Sequence, residues 1–157
     1  MSGSDAKQDC LKLMEATDIM YLSTIGEDGF PYIRGVMNLR NSKNYPDLVE
    51  IFNRHGNDFQ VYISTRTSSN KIKQIAADNA VSIYYCDPEK HQGLMLAGQA
   101  EIVSDSKMKH RLWQDDWGTC FPDGKNDLDY SIIRIRPAFA QGWWESATFR
   151  FELAGRI

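Results

Sequence analysis

Strand-like runs that follow one another with little chain between them constrain this sequence more than any other feature. Ile19-Met-Tyr-Leu-Ser-Thr-Ile25 and Pro31-Tyr-Ile-Arg-Gly-Val-Met-Asn-Leu39 flank Gly26-Glu-Asp-Gly29, a tight-turn sequence, and predict a β-hairpin. Val61-Tyr-Ile63 opens another run. Ala80 to Cys86 and Gly93 to Val103 are two long ones around the turn Asp87-Pro-Glu-Lys-His91. Tyr130 to Arg136 and Phe139 to Glu145 meet at Pro137, and Phe149 to Leu153 reads as a short last strand. Helical patterns occur at few points. Asp5 to Ala16 carries Cys10, Leu11, Leu13 and Met14 on one side, and Pro46 opens a short helix closed near Gly56. A third helix starts at Lys71 and reaches about Asp78, and Ser104-Asp105 caps a fourth through Met108, Leu112 and Trp113. A doubly wound parallel sheet needs a helix after almost every strand. The pattern predicts instead a mainly β fold, an antiparallel sheet that curls and closes on itself with peripheral helices. Gly35 and Gly98 fall inside strands, where glycine marks a bend, a bulge or a close backbone approach to a ligand.

The 157 residues read as a single domain, with residues 1–17 as an N-terminal helix and 145–157 as a C-terminal tail. A formal net charge of -3 gives no electrostatic case for nucleic acid or an anionic membrane. No apolar run reaches membrane-spanning length, and Met1-Ser-Gly-Ser-Asp-Ala-Lys7 lacks a signal-peptide core, so a cytoplasmic location is expected. Cys10, Cys86 and Cys120, like His55, His91 and His110, lack ligand spacing, and no metal site is expected. No Ser-His-Asp or Cys-His constellation stands out, so no catalytic residue is assigned. Asp115-Asp116 reads as an exposed helix end, and the loop Phe121 to Asp129 as a border of the pocket.

Val61-Tyr-Ile-Ser-Thr-Arg-Thr-Ser-Ser-Asn-Lys71 carries the chemistry. A strand runs into hydroxyl, amide and guanidinium groups, then a lysine opens a helix with Ile72, Ile75 and Ala76 on one face. Free N–H groups and partial positive charge at a helix start, joined by hydroxyls and a lysine, suit a phosphate. Ser, Thr and Asn also cap helices without binding anything, and both readings stand on this stretch alone.

In order and spacing, several segments resemble the pyridoxamine 5′-phosphate oxidase-like FMN-binding split-barrel superfamily, especially its small general-stress-protein branch. They are Tyr21-Leu-Ser-Thr-Ile-Gly-Glu-Asp-Gly-Phe-Pro31, Pro31-Tyr-Ile-Arg34, Val61 to Lys71, Ala80-Val-Ser-Ile-Tyr-Tyr85 and Gln92-Gly-Leu-Met-Leu-Ala-Gly-Gln-Ala-Glu101. The resemblance implies a six-stranded antiparallel split β-barrel that forms a homodimer with FMN at the subunit interface. It places Arg34 at the flavin phosphate, with Val36 and Met37 beside the ring. Ser64 and Thr65 would contact the flavin or ribityl chain, and Asn70 and Lys71 would close the phosphate site. Gln92 of the partner subunit would reach the ring, with Trp143 packed near it; since neighbouring strand residues face opposite ways, at most one of Trp143 and Trp144 does so.

Two departures separate the chain from the vitamin-converting oxidases. It ends without their C-terminal histidine, keeping Arg150 and Arg156 at a different spacing, and it has Asn70 where they carry an arginine. The expectation is therefore an FMN-binding flavoprotein, an oxidoreductase acting on a small molecule or electron donor, with true pyridoxamine phosphate oxidation not expected. The alternatives are a flavin-binding stress-response module without turnover and a relative adapted to F420 or haem.

Overall fold

The computed structural model describes residues 3–54 and 59–153. Its frame is one antiparallel sheet. The hairpin forms as expected: β1 (Ile19–Ile25) pairs with β2 (Pro31–Met37) from Ile19↔Met37 to Ile25↔Pro31. Gly29 in the connecting turn has φ 81°, a left-handed conformation that glycine adopts without strain. The other edge of β1 pairs with β4 (Ala80–Asp87), β4 with β5 (Gln92–Ile102), β5 with β6 (Tyr130–Trp144) and β6 with β3 (Val61–Arg66). The order is β2-β1-β4-β5-β6-β3, with β7 (Ala147–Glu152) added to β6.

The sheet thus has seven strands rather than the expected six, and it stays open, with β2 and β3 as unjoined edges that approach one another. The added strand follows from the length of β6. Its first half carries β3 and its second half carries β7. The break expected at Pro137 does not occur. Gly98 pairs with Pro137 and Ala97 with Phe139, so Ala138 is an extra residue and the strand passes through a bulge. A Cβ on Gly98 would lie 2.3 Å from the Arg136 carbonyl oxygen. Close backbone approach at a bulge is therefore what Gly98 serves, whereas Gly35 pairs regularly with Tyr21.

Two cores form on the two faces. Leu22, Ile83, Leu96, Ile63 and Ile133 of the sheet meet Cys10, Leu13 and Met14 of α1 (Gly3–Ala16) and Ile72 and Ile75 of α3 (Asn70–Ala77). Each such aliphatic side chain contributes about 1.5–3 kcal/mol by leaving water. The second core gathers Tyr62, Tyr130 and Ile132 under α2 (Val49–Arg54) and α4 (Ser106–Leu112). A 3₁₀ turn at Pro46–Leu48 leads into α2, and the expected closure near Gly56 lies outside the described residues. Asp105 caps α4 by accepting from the Lys107 N–H at 2.9 Å, leaving Trp113 just beyond the helix. Among the described residues, no helix is long and apolar enough to cross a membrane.

Candidate cofactor site

Strand alternation places Tyr32, Arg34 and Val36 on one face of β2, and Ile33, Gly35 and Met37 on the other. Arg34 is half-buried. Its Nη1 donates to Thr24 Oγ1 at 2.7 Å, to the Tyr32 carbonyl at 3.0 Å and to the Leu22 carbonyl at 3.3 Å. Its Nη2 donates to Gln74 Oε1 at 2.9 Å. The buried Thr24 hydroxyl donates to the same amide oxygen.

Gln74 belongs to α3. Three residues earlier on that helix, Lys71 Nζ donates to Thr65 Oγ1 at 2.7 Å. Ser69 is the N-cap residue of α3, yet its side chain makes no cap hydrogen bond, and its Oγ lies 3.3 Å from Thr65 Oγ1. The Thr65 hydroxyl thus meets the lysine, with the Ser69 hydroxyl beside it instead of capping the helix. Burial lowers the Arg34 pKa from its ordinary value, and burial followed by the field of Arg34 lowers that of Lys71. The hydrogen-bond acceptors around both cations are neutral oxygens, and among the described residues neither forms an ion pair. Two adjacent cations without a counter-charge are costly, and an anion at the start of α3 relieves that cost.

The turn before α3 is braced from behind. Asp129 accepts from the Ser68 N–H at 2.9 Å and the Ser68 hydroxyl at 3.2 Å, its carbonyl accepts from the Thr67 N–H at 2.7 Å, and its carboxylate lies 3.8 Å from Arg66. Asp127 in turn accepts from the Asp129 and Asp123 N–H groups, which hold its carboxyl below the usual range. The loop Phe121 to Asp129 therefore supports the lysine-bearing turn.

The structure brings Arg34, Thr65 and Lys71 together, with Val36 on the same strand face as Arg34. Met37 lies on the opposite face, as Ser64 does relative to Thr65. Asn70 is the exposed first residue of α3. Gln92 and Trp143 stand at the other end of the sheet. Arg34 pairs with Leu22 and Leu22 with Ile83, whereas Gln92 pairs with Asp87, four residues further along β4. Trp143 Nε1 donates to the Tyr84 hydroxyl at 3.0 Å, and a Cβ on Gly93 would collide with that hydroxyl and with the Trp143 ring. Trp144 packs instead on the main core and Phe149, so Trp143 alone of the two lies on the face away from that core.

Thr24 and Gln74 were not found by sequence reading. Thr24 carried a weak signal, a hydroxyl at an inward position of an alternating strand. Gln74 carried another, one turn after Lys71 on the same helix face. Asp129 ends the loop expected to border the pocket, and it braces the turn before α3 through Ser68.

Beside this cluster a cleft of about 590 Å³ separates α3 from the tip of the β1–β2 hairpin. A second, of about 670 Å³, lies along β1, β4, β5 and β6 and is lined by Ser23, Ser82, Ala97 and Phe139. On the same face of the sheet, Ile19, Tyr21, Ile33 and Met37 are exposed apolar residues.

Comparison with solved structures gives the fold's relatives. A Clostridium acetobutylicum protein, related to general stress protein 26 of Bacillus subtilis and assigned to the pyridoxinephosphate oxidase family, is 25% identical, with a TM-score of 0.77 over 96% of each chain. General Stress Protein 26 from Bacillus anthracis is 19% identical, with a TM-score of 0.68 over 93% of this chain and 98% of that one. A heme binding protein from Mycobacterium smegmatis is 15% identical, with a TM-score of 0.66 over 97% of this chain and 59% of that one. No curated protein matches significantly. The family model described as pyridoxamine 5′-phosphate oxidase like matches residues 52–155, a stretch that starts in α2, contains Thr65, Lys71 and Gln74 and takes up most of the chain. The chain belongs to the pyridoxamine 5′-phosphate oxidase-like family.

Proposed function

We propose that this protein binds FMN through Arg34 and Lys71 and works in the cytoplasm as an FMN-dependent oxidoreductase on a small molecule. One observation carries the reading: two adjacent, half-buried cations are surrounded by neutral oxygens at the start of a helix. A phosphomonoester brings about -1.5 to -2 charges at neutral pH. The arginine fork and the lysine point charge together match it. Asn70 joins them at the helix start, Thr65 through its side chain and Ser64 through its backbone would border the ribityl chain, and backbone groups of Val36 and Met37 would edge the flavin ring.

The ring would lie between two copies of the chain. In one chain Gln92 and Trp143 are remote from Arg34, so Gln92 of the partner subunit, with Trp143, would complete the pocket. The exposed apolar face of β1 and β2 supports such a homodimer, since a patch of this kind favours a partner. FMN supplies hydride and electron transfer when bound, and the protein supplies binding and orientation. Arg150 is held over the Phe139 ring at 4.0 Å, 3.1 Å from Gln141 and 3.5 Å from Glu152. With Arg150 so engaged, pyridoxamine phosphate is not the substrate we propose.

The test begins with an absorption spectrum of purified protein and identification of the released chromophore. FMN is expected, and Arg34→Ala with Lys71→Ala should strip it without unfolding the protein; flavin content that survives the double substitution would sink the phosphate assignment. Anaerobic NADH or NADPH should then bleach the bound flavin. No reduction beyond that of free FMN would favour a flavin-binding stress module without turnover, a reading helped by the lack of a carboxylate or histidine in contact with the cluster among the described residues. F420 is disfavoured because Glu27, Asp28 and Asp78 border the adjoining cleft and would repel its polyglutamate tail. Haem is disfavoured because His91 and His110 are exposed and lie outside the cluster.

A further inference from the structure

Tyr84 and Trp143 meet on the outward face of the sheet, at a point shaped to hold them. Their strands, β4 and β6, are not neighbours, and the Trp143 indole N–H reaches the Tyr84 hydroxyl across β5. Strand β5 passes beneath the contact as Gly93. A Cβ there would lie 2.2 Å from the Tyr84 oxygen and 2.5 Å from the indole nitrogen, so only glycine leaves room for the bridge. Gly93 follows Gln92, the residue proposed to reach the flavin ring from the partner subunit. On β1 the cross-strand neighbour of Tyr84 is Tyr21, part of the exposed face assigned to the second copy. Tyr85 turns the other way, into the main core.

The bridge decides which group has a proton to offer. An indole has a single donor, and that of Trp143 is spent on Tyr84. The hydroxyl keeps its own O–H, and accepting a hydrogen bond makes it a better donor. Burial holds the Tyr84 pKa above its ordinary value, the indole N–H opposes the rise and Cys86 adds to it, so the phenol is protonated at neutral pH. The Cys86 thiol on the same face is a weak acceptor and leaves that proton available to an oxygen. We infer that the Tyr84 hydroxyl of one subunit donates a hydrogen bond to the carbonyl-bearing edge of the flavin bound at Arg34 of the partner subunit. This rests on the flavin reading above. Within one chain the sheet separates the two groups. Arg34 pairs with Leu22 and shares its face, the face of the main core, whereas Tyr84 lies on the opposite one. Negative charge builds on that edge of a flavin when it is reduced, and a hydrogen bond to a charged acceptor is roughly twice as strong as one to a neutral acceptor. Tyr84 therefore favours the reduced flavin and raises its reduction potential.

Tyr84→Phe keeps the ring and removes the hydroxyl. In the FMN-loaded protein it should weaken the reduced flavin about tenfold more than the oxidised one, which lowers the two-electron midpoint potential by about 30 mV. Gly93→Ala, which pushes hydroxyl and indole off the strand, should shift the potential in the same direction, with circular dichroism reporting an unchanged fold for both variants. Mixed dimers then locate the donor. A dimer of one Tyr84→Phe chain and one chain carrying Arg34→Ala with Lys71→Ala, isolated through two different tags, has a single phosphate site, faced by the intact Tyr84 of the other chain. Its flavin should keep the unshifted potential. If Tyr84→Phe leaves the ratio of the two affinities within about twofold, if the mixed dimer shows the shifted potential, or if Tyr84→Phe sediments as a monomer, this inference is overturned and the FMN site stands. If the unaltered protein binds no flavin, both fall together.

Discussion

Arg34 on β2 and Gln74 on α3 are joined by a 2.9 Å hydrogen bond from guanidinium to amide oxygen, across 40 residues of chain. The same oxygen accepts from Thr24, so one neutral group orients the arginine without cancelling its charge. A carboxylate of the same length would do otherwise. Gln74→Glu should pair with Arg34 inside the cluster, leaving the free protein at least as stable and weakening FMN binding by about tenfold or more, about 1.4 kcal/mol. Equilibrium dialysis against FMN measures this, and an unchanged affinity would show that the site does not use the open charge of Arg34.

Lys71 makes the site pH-dependent. Burial and Arg34 hold its pKa below the ordinary 10.5. A folded-state value below the unfolded one means that the free protein binds fewer protons when folded, so its stability rises with pH across that interval. A bound phosphate favours the charged lysine and opposes the trend. FMN affinity is therefore expected to fall with alkalinity before an ordinary lysine would titrate. Lys71→Arg should move the fall to higher pH, and dissociation constants measured across the alkaline range would reveal a flat profile if Lys71 makes no contact with the ligand.

Lys71→Met separates stability from binding. Methionine keeps most of the apolar stem and removes the repulsion from Arg34, so the urea midpoint of the flavin-free protein should not fall, while FMN retention should drop by about tenfold or more. A large loss of stability would mean that the Lys71–Thr65 hydrogen bond is a structural prop.

The elements that sequence made legible are those set by local rules. The β1–β2 hairpin has its turn residues between alternating runs, and β4 and β5 flank a short turn. Helix α3 begins within a residue of the expected place because Ile72 and Ile75 set its apolar face. Pro137 misled because it cannot donate to a ladder. Only the pairing partner, Gly98, reveals the bulge that accommodates it, and that pairing is remote in sequence. The same limit applies to the site. Arg34 and Lys71 are legible as charged residues with a precedent in related sequences, whereas Gln74 and Thr24 are neutral and acquire a role only once α3 rests beside β1 and β2. Alternation already implied that Ser64 and Thr65 point apart, and the structure turns Thr65 to the lysine.

The bulge should be intolerant of a side chain. On Gly98 a Cβ would meet the Arg136 carbonyl oxygen at 2.3 Å and Pro137 Cα at 2.8 Å, both backbone atoms that cannot swing away. Gly98→Ala is expected to cost about 1–3 kcal/mol in urea unfolding, the usual range for overpacking. Gly118→Ala, where a Cβ meets nothing within 4 Å, serves as the control and should cost much less. Equal effects would mean that the close approach at Gly98 is easily relieved.

The outward face of β1 and β2 links assembly to cofactor. Ile33 is 71% exposed, with Tyr21 at 45% and Met37 at 43% on the same face. Ile33→Glu would place a charge in the centre of that face, where burial against a second copy would require desolvating it. The variant should keep its circular dichroism spectrum and sediment as a monomer. It should also lose FMN, because Gln92 of the partner subunit would no longer be available. Leu128→Glu, at a 95% exposed loop position, should change none of these. A dimeric Ile33→Glu protein that retains its flavin would remove this face from the interface. A monomeric one that still binds FMN at full strength would place the whole cofactor site within a single chain.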